Sequence, residues 1–172
     1  GTITFTKLLM CDWKDLSNDL EELKKNLSKF KKIVSPFIFL TLSDSPSLQK
    51  IAAEIWVKEL ALRVSQIESI SKRKKEKKIR IGYYSGDLRK HAVGHLISNM
   101  LELHDKSNFE VFGFYFGKKI VGKDEVHDRI VATFDKFIDI SLMNDLEVAQ
   151  LSRNLKIDIA IDLTVHTGDV NR

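Results

Sequence analysis

Two stretches of the 172-residue sequence concentrate side chains able to move protons or hold polar ligands. The first is Ser85-Gly86-Asp87-Leu88-Arg89-Lys90-His91-Ala92-Val93-Gly94-His95. On a helix, His91 and His95 share one face through their i, i+4 spacing. Such a pair can be half of a zinc site, but no Glu lies between them in a metalloprotease frame, so no metal is expected. An imidazole that titrates near pH ~6.5 is better suited to general-base work. Spacing alone fits equally well one exposed loop histidine and one packed against a sheet. The second stretch, Asp162-Leu163-Thr164-Val165-His166-Thr167-Gly168, gathers a carboxylate, two hydroxyls and an imidazole. Read alone, it also fits an ordinary polar turn. His104 and His127 lie towards helix ends or in loops with nothing chemical nearby, and read as plain surface residues. No G-x-G-x-x-G follows the first strand and no G-x-x-x-x-G-K occurs, so a dinucleotide domain of the usual type is not expected and no cofactor is implied.

The elements that must position these groups follow from hydrophobic period. From Lys78 onward, short apolar runs alternate with helical spacing. Ile79–Ser85, Phe109–Phe116, Phe137–Ile140 and Ile157–Leu163 read as strands. The stretches around Val93–Leu101, Val126–Phe134 and Leu146–Leu155 read as helices. Strands apolar on both sides and separated by helices predict an α/β fold, a parallel sheet covered on both faces. Ligands of such sheets sit beyond the carboxyl ends of the strands, where both polar stretches lie.

The first seventy residues have a different texture. Trp13, Leu16, Leu20, Leu23, Leu27 and Phe30 step by 3 and 4, which predicts an amphipathic helix with Asp12 as N-cap. Ser35-Pro36 reads as a break before an apolar stretch, Phe37–Leu42. Ser45-Pro46 reads as an N-cap with Pro at the first helical position, opening a second helix that runs to about Ile70. The expected organisation is a helical segment over 1–70, a basic linker over 71–78 and an α/β unit over 79–172.

Composition narrows the class. With 43% hydrophobic and 30% charged residues, the chain can bury a core and stay dissolved. Its one cysteine, Cys11, excludes an internal disulfide and fits a reducing, cytoplasmic setting. No apolar run approaches the roughly 20 residues of a membrane-spanning helix, so no membrane partner is expected. The net charge of +4 is concentrated in Lys72-Arg73-Lys74-Lys75-Glu76-Lys77-Lys78. No aromatic residue interrupts that run to stack on bases, so it reads as a solvated linker and not a nucleic-acid surface. The Gly1-Thr2-Ile3-Thr4 start reads as an internal cut, and four strands with no closing helix read as an unfinished domain.

The order of these pieces resembles a known family. Lys78-Ile79-Arg80-Ile81-Gly82-Tyr83-Tyr84-Ser85-Gly86-Asp87, followed by His91-Ala92-Val93-Gly94-His95-Leu96, is similar to the opening of the catalytic region of the O-GlcNAc transferase/SPINDLY family. Phe109-Glu110-Val111-Phe112 resembles that family's next strand, and Ile157–Thr167 its D-I-L-V-D-L-x-G-H-T segment. Cys11-Asp12-Trp13 and the stretch from Ser35 to Asp44 resemble the helical connector between tetratricopeptide repeats and the catalytic region. The resemblance implies a GT-B glycosyltransferase, with this chain as its Rossmann-like N-terminal lobe and helical lead-in. It implies transfer of N-acetylglucosamine from UDP-GlcNAc, or of fucose from GDP-fucose, to Ser/Thr hydroxyls of an acceptor protein. It also implies that most donor contacts belong to a second lobe. His91 then matches the proposed catalytic base, while His95, Asp87, Thr164 and His166 match positions that contact substrate or wall the cleft. Ala92 departs from a frequent Pro, and Val165 from a usual Gly. The alternative reading is a non-catalytic, flavodoxin-like interaction module. A receiver of that kind wants an acidic cluster beyond its first strand, which Asp87 alone does not supply.

Overall fold

The computed structural model describes residues 1–64 and 76–164, apart from the side chains of 59–64. Most of the basic run, and His166, fall outside the described residues. The chain divides into two units, Gly1–Ser69 and Ile70–Arg172.

The first unit is helical, with more helices than its apolar stripe suggests. They are α1 (Thr2–Leu9), α2 (Leu16–Leu27), α3 (Pro36–Leu42) and α4 (Pro46–Val64). Sequence spacing led to two main helices there, and the structure corrects this in three places. Helix α1 was not foreseen. Helix α2 begins at Leu16, because Asp12 instead accepts from the Lys14 amide and shapes a turn. Trp13 and Phe30 therefore fall outside it, 62% and 61% exposed, so the stripe is shorter than it looks. The third correction is that Ser35-Pro36 starts a helix: Ser35 Oγ accepts from Ile38 N–H and Pro36 sits at the first helical position. Ser45 opens α4 in the same manner, accepting from Leu48 N–H, as expected. Leu23, Leu27, Val34, Phe39, Leu42 and Ala52 form this unit's core.

The second unit is the expected parallel α/β sheet. Its elements are β1 (Ile79–Ser85), α5 (Ala92–Glu102), β2 (Phe109–Tyr115), α6 (Glu125–Val131), β3 (Lys136–Asp139), α7 (Asp145–Asn154) and β4 (Ile159–Asp162). All three pairings are parallel, in the order β3-β2-β1-β4. Alternation along the strands sends Ile81, Tyr83, Val111 and Tyr115 to one face, in a core with Leu101 of α5 and Ile130 of α6. Phe112 and Phe114 point the other way, against Val148 and Leu151 of α7. The chain moves outward from β1 through β2 to β3, then returns to place β4 on the opposite side of β1. That reversal makes a crevice beyond the carboxyl ends of β1 and β4.

Candidate active site

The crevice rim is built by the segment between β1 and α5. Ser85, the last residue of β1, is fully buried, and its Oγ accepts from the Asp87 amide at 3.0 Å. Leu88 turns inward and is also fully buried, anchoring the middle of the loop in the core. Helix α5 then closes onto the loop backbone. A Cβ at Gly94 would collide with the carbonyl of Arg89 and come within 3.2 Å of that of Asp87, so only glycine allows this approach.

Helix α6 fixes the same loop from the side. Asp124 caps α6 by accepting from His127 N–H at 2.9 Å, and its other oxygen accepts from the Lys90 amide at 2.8 Å. These backbone donors, Lys90 first, hold the Asp124 carboxyl below its usual range. His127 Nδ1 donates to the Leu88 carbonyl at 2.7 Å, and its ring packs beside Tyr115 and Phe137.

The expectation that His104 and His127 are plain surface residues is therefore corrected. Both are half-buried and hydrogen-bonded, His104 Nε2 lying 2.8 Å from Tyr83 Oη. Burial, and then the nearby Lys106, push the His104 imidazole below its ordinary value against the opposing pull of Asp135. Sequence reasoning missed Asp124 and His127 as loop supports. The one local signal was an Asp placed as an N-cap.

At the loop's end, His91 is the N-cap of α5. Its Nδ1 accepts from Val93 N–H at 3.3 Å and lies 3.7 Å from Asp87 Oδ2. Asp87 Oδ1 is held by Arg89 Nη2 at 3.2 Å. The His91 ring remains 41% exposed, so it faces solvent while its position is set from below. His95 lies one turn further along α5, exposed, and shares its side of the helix with His91. Among the described residues there is no group of three or more His, Cys, Asp or Glu side chains disposed to hold a metal.

The neighbouring strand end brings Thr164 to the rim. Tyr84 pairs with Asp162 in the sheet, and Leu163 N–H donates to the Tyr84 carbonyl, which extends the ladder by one residue. Asp162 Oδ1 accepts from the Thr164 amide at 2.8 Å, and Thr164 is buried. The structure thus brings Asp87 and His91 together and sets Thr164 at the end of the adjoining strand. His95 stands apart on the helix surface, and His166 lies outside the described residues. An imidazole beside a carboxylate, beyond the carboxyl end of a parallel strand, is the kind of pair that proton transfer with a bound hydroxyl uses, once the Nε2 edge is free of its proton.

Over 91 residues the chain is 32% identical to the probable UDP-N-acetylglucosamine–peptide N-acetylglucosaminyltransferase SEC of Arabidopsis thaliana, covering 53% of this chain and 9% of that protein. Over 95 residues it is 30% identical to the probable transferase SPINDLY of Petunia hybrida, covering 55% of this chain and 10% of the relative. It thus spans about a tenth of the length of these curated relatives. A solved structure, the K341M mutant of Thermobaculum terrenum O-GlcNAc transferase, superposes with a TM-score of 0.68 at 25% identity, over 96% of this chain and 31% of that one. The sheet unit is accordingly a Rossmann-like lobe of the GT-B type. The family model of glycosyl transferase family 41 matches residues 48–167, a span that contains the whole crevice rim, and the chain belongs to that family.

Proposed function

We propose that this chain is the N-terminal, acceptor-side lobe of a protein O-glycosyltransferase, with His91 as general base. The observation that carries the reading is the position of His91. It caps the helix that leaves β1, at the strand-order reversal, inside the segment matched by the family. A Ser/Thr hydroxyl is a weak nucleophile, and a base helps only if it sits at the hydroxyl in the transition state. The hydroxyl oxygen bonds to the anomeric carbon, its proton passes to the imidazole, and the sugar–phosphate bond breaks with its electron pair going to the nucleoside diphosphate. Helix amides and cations of a second lobe stabilise that leaving group. The names of the relatives support UDP-GlcNAc as donor and a polypeptide as acceptor.

His95, Asp87, Thr164 and His166 line the substrate side in this reading. The helical unit connects the lobe to preceding tetratricopeptide repeats. In this reading the basic run is a solvated segment with no nucleic-acid or membrane partner, and the protein works in the cytoplasm. Among the described residues no helix is long and apolar enough to cross a membrane. The 172-residue chain by itself transfers no sugar and binds UDP weakly, since no glycine-rich phosphate cradle occurs in it.

The test uses a chain extended through the second lobe, supplied with UDP-GlcNAc and an acceptor peptide. His91→Ala should lower kcat by about 10²–10⁴-fold with donor KM nearly unchanged, while loss of the cap to Val93 N–H lowers the melting temperature only slightly. A variant that melts early yet keeps its full rate per folded molecule shows that His91 is structural. Micromolar UDP affinity of the 172-residue chain in calorimetry would overturn the division of labour between lobes.

A further inference from the structure

His91 Nδ1 faces two groups that demand opposite protonation of the same nitrogen. The Val93 amide, 3.3 Å away, needs a lone pair there. Asp87 Oδ2, 3.7 Å away, needs a proton there, and stands just beyond hydrogen-bond reach. A neutral ring that caps α5 through Nδ1 carries its proton on Nε2. In that form the exposed edge of the ring is a donor and can accept nothing. A ring that turns Nδ1–H to Asp87 instead leaves Nε2 bare and basic.

We propose that Asp87 is the positioning residue that converts His91 from helix cap to base, by drawing the proton onto Nδ1. This rests on the base role assigned to His91 above. The carboxylate is itself prepared for the task. Ser85 Oγ holds its backbone amide, and Arg89 holds Oδ1, so that Oδ2 is the oxygen turned to the ring. Once Nε2 has taken the hydroxyl proton, the ring is a cation at the amino end of a helix, where the peptide dipoles oppose positive charge. Asp87 is the anion that offsets this. Its part is to set the tautomer and then to stabilise the imidazolium, and it need not touch substrate.

Two-bond 15N–1H correlation of the histidine rings distinguishes a protonated ring nitrogen from a bare one, and the 172-residue chain suffices. At a pH where His91 is neutral, the wild-type chain should show a protonated Nδ1 in a measurable share of molecules. Asp87→Asn keeps the volume but presents an amide that can donate to Nδ1, so the protonated Nδ1 signal should vanish. Arg89→Ala, which releases Oδ1 and with it the orientation of Oδ2, should lower it, and this second variant decides the matter if Asp87→Asn fails to fold. A wild-type ring wholly protonated at Nε2, or ring signals that neither substitution moves, sinks the proposal whatever the transfer rate does. A full rate in His91→Ala sinks the base reading and leaves the ring measurement standing.

Discussion

The inner and outer strands of the sheet differ in how firmly they are held. β1 and β2 each span seven residues, pair along their whole length, and bury Ile81, Tyr83, Val111, Phe112 and Phe114. β3 and β4 span four residues each and lie at the sheet margins, and β4 leaves Ile159 46% exposed. The rim loop that carries Asp87 and His91 grows out of the well-held pair. The Thr164 segment grows out of the lightly held strand. Precision at His91 is thus supplied by β1 and its packing, while the Thr164 segment stands on a weaker footing.

The largest test of this contrast pairs a core truncation with an edge truncation. Phe114 is fully buried and stacks on Tyr84 with ring centroids 4.3 Å apart. Phe114→Ala should destabilise the sheet unit by about 3–5 kcal/mol, while Ile159→Ala should cost under about 1 kcal/mol. Urea denaturation of both variants checks this, and equal losses would erase the distinction between inner and outer strands.

Gly94→Ala comes next. The added methyl meets the Arg89 carbonyl, and overpacking of this kind costs about 1–3 kcal/mol. The loop must shift, so amide signals of residues 86–91 should move in NMR while those of β3 stay in place. If the loop signals stay unmoved, α5 does not set the loop.

The smallest effect concerns pH. Burial holds the folded His104 imidazole below its value in an unfolded chain. Between those two values the unfolded state binds more protons, so stability rises with pH in that window. The contribution is complete above about pH 6.5 and is lost as the pH falls. His104→Gln should therefore flatten the dependence of the urea midpoint between about pH 7 and pH 5. A slope unchanged from wild type would place the titration elsewhere.

Legibility in the sequence followed burial. β1 reads correctly because Ile79, Ile81, Tyr83 and Tyr84 cluster before the Gly86-Asp87 turn, and the four strands and three helices after Lys78 lie within a few residues of their expected places. The helical unit reads less well. Ile3, Leu9 and Met10 of the first segment are exposed, so α1 has little apolar stripe to detect. Trp13 and Phe30 matched the helical period while standing in solvent. At the site, the nearness of Asp87 and His91 is local, four residues apart, and could be suspected from the chain. The supports from α6 could not. Lys90 and Asp124 are 34 residues apart, and Leu88 and His127 39, so only the folded sheet brings them together.

The three tyrosines, Tyr83, Tyr84 and Tyr115, all belong to the sheet unit, each with its hydroxyl hydrogen-bonded: to His104, to Ser152 and to the Lys118 carbonyl. Both tryptophans, Trp13 and Trp56, belong to the helical unit. The molecule therefore carries two separate optical reporters. Tryptophan emission follows the helices, tyrosine absorbance follows the strands beneath the rim, and one unlabelled sample can reveal whether the two units melt together or in turn.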